Sequence, residues 1–274
     1  MAEISAAMVK ALRDETGQPM MDCKAALVEA GGNQEAATKI LREKAKKLEG
    51  VRLGRDTEFG RIGAYNDAKV GALVEVLCES APVANGPDCR QFADDLAKAL
   101  ATGAGAATAD DLLKQPSPSA AGKTLAEQKD DLFNRIREVF KIGRLVRYDG
   151  NAAGYVHVTG DLGSLVEFEG GDAVVAKDIA MHIVAAGPKA VTKEELDATE
   201  VAKEREFLTE QARKEGKPEA IIAKMIEGRM KNFYSARVLT EQPFVKDSDL
   251  SVAQVLKNAG MKIKRFVNWK LGKE

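Results

Sequence analysis

The chain has 274 residues, with 41 Lys plus Arg against 42 Asp plus Glu, a formal net charge of −1. Hydrophobic residues make up 45% and charged residues 30%, which is enough apolar surface for about two domains. The charge balance argues against a protein that coats nucleic acid, and no apolar run approaches the roughly 20 residues of a membrane span. The charged, amphipathic opening has neither the apolar core nor the small-residue cleavage site of a secretory signal. Cys23, Cys78 and Cys89 are odd in number and widely spaced, which points to reduced thiols in the cytoplasm rather than a disulfide scaffold or zinc finger. His157 and His182 cannot build a His-rich metal site, so no metal or cofactor is expected.

Residues 1–50 read as three short helices. Ile4, Met8 and Leu12 recur at helical spacing until Thr16-Gly17-Gln18-Pro19. Cys23, Ala26, Leu27 and Ala30 form a second stripe closed by Gly31-Gly32. Asn33 is the N-cap of a third helix carrying Ala36, Ala37, Ile40 and Leu41, followed by a charged stretch over 42–55. The period then changes. Residues 61–65 and 71–77 are strands around the turn Asn66-Asp67, and 92–101 is a helix with Phe92, Leu96, Ala97 and Leu100 on one face.

The same pattern returns later in the chain. Gly163-Ser164-Leu165-Val166-Glu167-Phe168 repeats Gly71-Ala72-Leu73-Val74-Glu75-Val76, after a strand over 154–158 and before a helix over 175–181. The strand offset is about 92 residues and the helix offset about 83, so the strand-to-helix loop is longer in the first copy, over 79–91. Loops lengthened on a repeated scaffold often carry function.

Residues 102–123, rich in Ala, Gly, Ser and Pro, read as a flexible connection with one helical turn near 110–113. Thr124 and Glu127 form a capping box for a helix through about Lys141, and Thr192 with Glu195 another. Two charged helical patterns, 200–214 and 219–233, are split by Gly216-Lys217-Pro218 and make an antiparallel hairpin. The tail over 261–271 is a returning strand.

Motifs for covalent chemistry fail on inspection. Gly122-Lys123-Thr124 resembles the end of a P-loop, but Ser117 stands where a Gly is required and Pro116-Ser117-Pro118 precedes it instead of a strand. Gly103-Ala104-Gly105 lacks the third glycine of a dinucleotide loop, since position 108 is Thr. Cys78 with either His is a conceivable nucleophile and base, but a small buried residue ending a strand is the simpler reading. The basic run over 39–61 contains Glu43, Glu49, Asp56 and Glu58 and reads as a solvated helix face ahead of an RNA-binding patch. These residues describe an α+β interaction protein without an active site.

The run Leu12-Arg13-Asp14-Glu15-Thr16-Gly17, then Met20-Met21-Asp22-Cys23-Lys24-Ala25-Ala26-Leu27 and Glu29-Ala30-Gly31-Gly32, closely resembles the opening of bacterial elongation factor Ts. Ala180-Met181-His182-Ile183, Glu215-Gly216-Lys217-Pro218, Glu227-Gly228-Arg229-Met230 and Gln242-Pro243-Phe244-Val245 follow in the family's order, so the resemblance covers essentially the whole chain. It implies an N-terminal three-helix UBA-like module over 1–55, then a duplicated core of antiparallel hairpin-plus-helix units. The first core subdomain and linker would span 56–141, and the second 142–274, with the projecting helical hairpin at about 193–233.

It also implies guanine-nucleotide exchange on elongation factor Tu, by displacement of its magnesium and phosphate site. The factor would need no cofactor, membrane or nucleic acid. A homodimer of the complex stays open, as does whether the hairpin meets the partner or a neighbouring copy. Matched to the family's motifs, Arg13, Met20, Met21 and Lys24 would contact the GTPase, as would the loop Ser80, Ala81, Pro82 and Val83, together with His157 and Val245. Core filling is the other reading for Met20 and Met21, and simple burial for Val245. The loop departs from the family's Thr-Asp-Phe-Val. Ala81 has no carboxylate and Pro82 no aromatic ring, so Pro82 is expected to hold the loop extended and dock it by shape. That departure motivates a second reading, a partner-binding protein with weak exchange.

Overall fold

The computed structural model describes residues 4–215 and 218–272. Helices α1 (Ala6–Thr16), α2 (Met20–Glu29) and α3 (Gln34–Arg52) pack around Leu12, Cys23, Ala26, Leu27, Ala37 and Leu41. Ser5 caps α1 through Met8 N–H, Gly17 ends it at φ 68°, and Asn33 caps α3 through Ala36 N–H. The charged stretch expected after the third helix is part of it. Leu41 and Ala45 keep the helical period on the buried side, so the charges simply occupy the wet face.

Two three-stranded antiparallel sheets follow. The first has the order β1 (Phe59–Asn66), β2 (Val70–Cys78) and β3 (Lys141–Asp149). The second has the order β4 (Ala152–Val156), β5 (Leu162–Gly170) and β8 (Met261–Lys270). Between β2 and β3 lie α4 (Ala81–Asn85), α5 (Pro87–Thr102), α6 (Ala109–Leu113) and α7 (Leu125–Ile136). After β5 come α8 (Ala173–Ala186) and the long pair α9 (Ala198–Lys214) and α10 (Glu219–Arg237). The small hairpin β6 (Pro243–Phe244) and β7 (Asp247–Ser251) and helix α11 (Val252–Asn258) then lead into β8. Helix α5 lies so close to β1 that a Cβ at Gly63 would meet Ala93 O at 2.1 Å. Of the expected breaker Gly216-Lys217-Pro218, the first two lie outside the described residues, and Pro218 precedes α10.

Several expectations are corrected. The helix capped by Thr124 and Glu127 ends at Ile136, not near Lys141, because Arg137 adopts a left-handed φ of 64° and its N–H closes on Phe133 O. The chain then returns as β3 on β2, so a division after residue 141 falls inside that strand. The 102–123 connection is not loose. Buried Asp95 accepts from Gln91, Ser119 and Gln128, and Ser117 donates to Gln128, which ties the segment to α5 and α7. The Thr192–Glu195 capping box does not form. Glu195 accepts from Val191 N–H instead, and Asp197 caps α9.

The loop over 79–91 is helical. Pro82 sits in the first turn of α4, where its missing N–H costs no intrahelical bond, so the expectation of an extended loop is overturned.

Candidate partner interface

On α2, Cys23, Ala26 and Leu27 face the module core, which turns Met20, Met21, Lys24 and Val28 outward. Met21 is 73% exposed and Met20 49%, so core filling is excluded for both. Arg13 is exposed near the end of α1. The module is held on the core by Arg137, whose guanidinium donates to Gln18 Oε1 at 2.6 Å and Asp22 Oδ2 at 2.8 Å. The left-handed backbone at Arg137 aims that side chain, and Arg52 donates to the Arg137 carbonyl. Lys129 and Glu49, both largely buried, add a 2.5 Å ion pair between α7 and α3.

The second element is α4. Ser80 does not cap it by side chain. Its N–H and Oγ both donate to Glu138, at 3.1 and 2.6 Å, while Glu79 accepts from Val139 N–H and from Arg55. These two carboxylates fasten the start of α4 to the chain entering β3. Ser80 is therefore an anchor, and Val83 packs toward the first core beside buried Ala84. Ala81 lines a surface cleft, and Pro82 is exposed.

The cleft, of about 380 Å3, joins α4 to the other half of the molecule. Its walls include Phe59, Gly60, Ala81, Asn85, Thr159 and Asp161. The β4–β5 turn reaches it because Ile62 N–H donates to Gly160 O, and Gly160, at φ 81°, lies against the Arg61 guanidinium. A Cβ at Gly160 would meet Arg61 at 2.7 Å. In the same turn His157 Nδ1 is 2.7 Å from Thr159 Oγ1, whose hydroxyl donates to Asp161. The Thr159 N–H also reaches His157 Nδ1, at 3.4 Å.

Ala81 is thus brought to Thr159 and Asp161 of the β4–β5 turn, whereas His157 of the same turn lines a separate cleft with Arg61, Ala64, Arg90 and Asp94. Phe59, 44% exposed, and Val158, 82% exposed at the turn tip, escaped sequence reasoning. Phe59 carried a signal, an aromatic just ahead of a strand and outside its alternation.

Val245 is 51% exposed at the β6–β7 tip, which excludes simple burial. Its N–H donates to His182 Nδ1 at 3.1 Å.

The family model for Elongation factor TS matches residues 79–273. The chain belongs to the elongation factor Ts family. It is 42% identical to elongation factor Ts of Methylococcus capsulatus over 274 residues, which cover 98% of this chain and 92% of that protein. The Alkalilimnicola ehrlichii elongation factor Ts is 40% identical with the same coverage, and the Ralstonia nicotianae one is 39% identical over 99% and 91%. The family model begins after α1–α3, β1 and β2, whereas the alignments with these relatives span nearly the whole chain. No helix among the described residues is long and apolar enough to cross a membrane.

Proposed function

We propose that this chain is the guanine-nucleotide exchange factor of elongation factor Tu, acting in the cytoplasm during translation elongation. Membership of the elongation factor Ts family over nearly its full length carries the reading. The physics is linkage. A partner that binds the empty GTPase more tightly than the nucleotide-bound form lowers nucleotide affinity by the same factor. Such a factor needs no active site of its own.

In this reading α1 and α2 form a UBA-like module that docks through Arg13, Met20, Met21 and Lys24. The cleft between α4 and the β4–β5 turn disturbs the magnesium and phosphate site. Ala81 and Pro82 offer no acid or ring there, so the apolar surface in the cleft comes from Phe59, with exposed Val158 and His157 beyond it on the same β4–β5 turn. The tip at Val245 makes a third contact. The two sheet units derive from duplication, supported by their common register.

Release of a fluorescent GDP analogue from elongation factor Tu tests the proposal. Faster release with micromolar protein is expected, and no acceleration sinks it. A stable complex without acceleration favours the second reading, a binding protein with weak exchange, which Ala81 and Pro82 motivate. Ala81→Asp together with Pro82→Phe is expected to raise the rate, and an unchanged rate shows that the acid–aromatic pair is not limiting.

A further inference from the structure

The geometry points to a two-point clamp from α8, made by His182 and Asp178, that fixes the β6–β7 tip in a docking-ready conformation. Its functional consequence rests on the reading of Val245 as a partner contact, while the clamp itself stands on hydrogen bonds alone.

His182 and Asp178 are one helical turn apart, at i and i+4, so they project from one face of α8. His182 is 1% exposed. Its Nδ1 accepts the Val245 N–H at 3.1 Å, and its Nε2 lies 2.9 Å from Gln242 Oε1. An Nδ1 that accepts leaves the ring proton on Nε2, which donates to Gln242. The Gln242 amide in turn donates to Ala186 O at the end of the same helix. The imidazole also lies against Phe244, with ring centroids 5.9 Å apart. One residue further along the tip, Lys246 Nζ is 2.6 Å from Asp178 Oδ1.

Val245 and Lys246 are the two residues between β6 and β7. One is held by its backbone and the next by its side chain, both to α8. The Val245 side chain is left half exposed on a backbone that is already ordered. A partner that meets such a tip does not have to order it on binding, so affinity rises without a new contact. His182, Asp178 and Lys246 are therefore positioning residues. Loosening them should raise the concentration needed for half-maximal exchange and leave the maximal rate unchanged.

The test uses the full chain, with hydrogen exchange of the 243–247 region and the dose dependence of GDP release from elongation factor Tu. Lys246→Asp, at a partly exposed site, is expected to speed hydrogen exchange at the tip. It should also raise the half-saturating concentration about tenfold at unchanged maximal rate. The charge swap Asp178→Lys with Lys246→Asp is expected to restore both. His182→Asn, which keeps an acceptor near the Nδ1 position, is expected to be milder than His182→Leu.

Unchanged hydrogen exchange in Lys246→Asp overturns the clamp. A loosened tip with unchanged half-saturation overturns its docking role and leaves the exchange reading intact. A charge swap that tightens the tip without restoring half-saturation does the same. If the wild-type chain fails to accelerate GDP release, the exchange reading fails, while hydrogen exchange still decides the clamp.

Discussion

The two sheets are built on one plan and carry different attachments. In the first, Val74 faces Leu145 and Val76 faces Ile142 across a bulge. In the second, Val166 faces Phe266 and Phe168 faces Ile263 across a bulge at the matching place. A buried glutamate stands at each bulge and meets an arginine of the third strand, Glu75 with Arg144 and Glu167 with Arg265. Each arginine also covers an aromatic ring of the opposite sheet, Arg144 over Trp269 at 5.0 Å and Arg265 over Tyr148 at 4.2 Å. The core between the sheets consists of Ile62, Leu73 and Tyr148 from one and Ala152, Leu165 and Trp269 from the other. The shared plan makes the scaffold. The unshared pieces, α4 in the first half and the β6–β7 tip in the second, carry two of the candidate contacts, beside those on α1, α2 and the β4–β5 turn.

The largest test breaks the shared core. Leu73→Ala and Leu165→Ala both empty fully buried positions and should each cost about 2–5 kcal/mol in chemical denaturation. Similar losses support equivalence, and a cheap one in either half breaks it. The arginines should then separate the halves. Arg144→Ala strands Glu75, whose side chain is only 6% exposed, at a cost of about 3 kcal/mol. Arg265 is 60% exposed, and Lys264 remains 3.7 Å from Glu167, so Arg265→Ala should cost under about 1 kcal/mol. Equal losses would show that burial does not distinguish the pairs. Gly160→Ala comes next, since φ 81° and the Arg61 contact both oppose a Cβ. A loss of about 1 kcal/mol is expected, and Arg61→Ala in the same chain should recover the steric part.

The repeated hairpins, the three N-terminal helices and the helical pair were legible because each carries a clean apolar period. The third strand β3 was not. Its alternation over Lys141–Asp149 is broken by Gly143 at the bulge, and the preceding helix has no proline to stop it. Only the left-handed backbone at Arg137, which no residue type announces, ends that helix. Helix α4 was hidden because five residues give no period, and Pro82 reads as a breaker unless its place in the first turn is known. Of the interface, Met20 and Met21 were legible by motif while their exposure was not, because α2 has apolar residues on both sides. The meeting of Ala81 with Thr159 depends on how the β4–β5 turn leans on β1, a tertiary fact with no local signature.

The smallest expected effect is a pH dependence confined to the second half. Ala99 of α5 matches His182 of α8 in the alignment of the two helices, so the first-half helix carries no imidazole at the matching place. Burial holds the His182 pKa below its ordinary value of 6.5, and the bond to Gln242 opposes the shift. A depressed histidine means that the unfolded chain takes up a proton more readily than the folded one. The neutral ring thus contributes fully above pH 6.5, and that contribution declines as pH falls from there through the lower folded value. Protonation would also set an Nδ1–H against the Val245 N–H, so the tip should loosen in the same window. Denaturation between pH 7.5 and about 5 should show a loss in the wild-type chain that is smaller in His182→Asn, which cannot take up the proton. Parallel profiles for the two would place the acid sensitivity in other groups and remove the titration from the contrast between the halves.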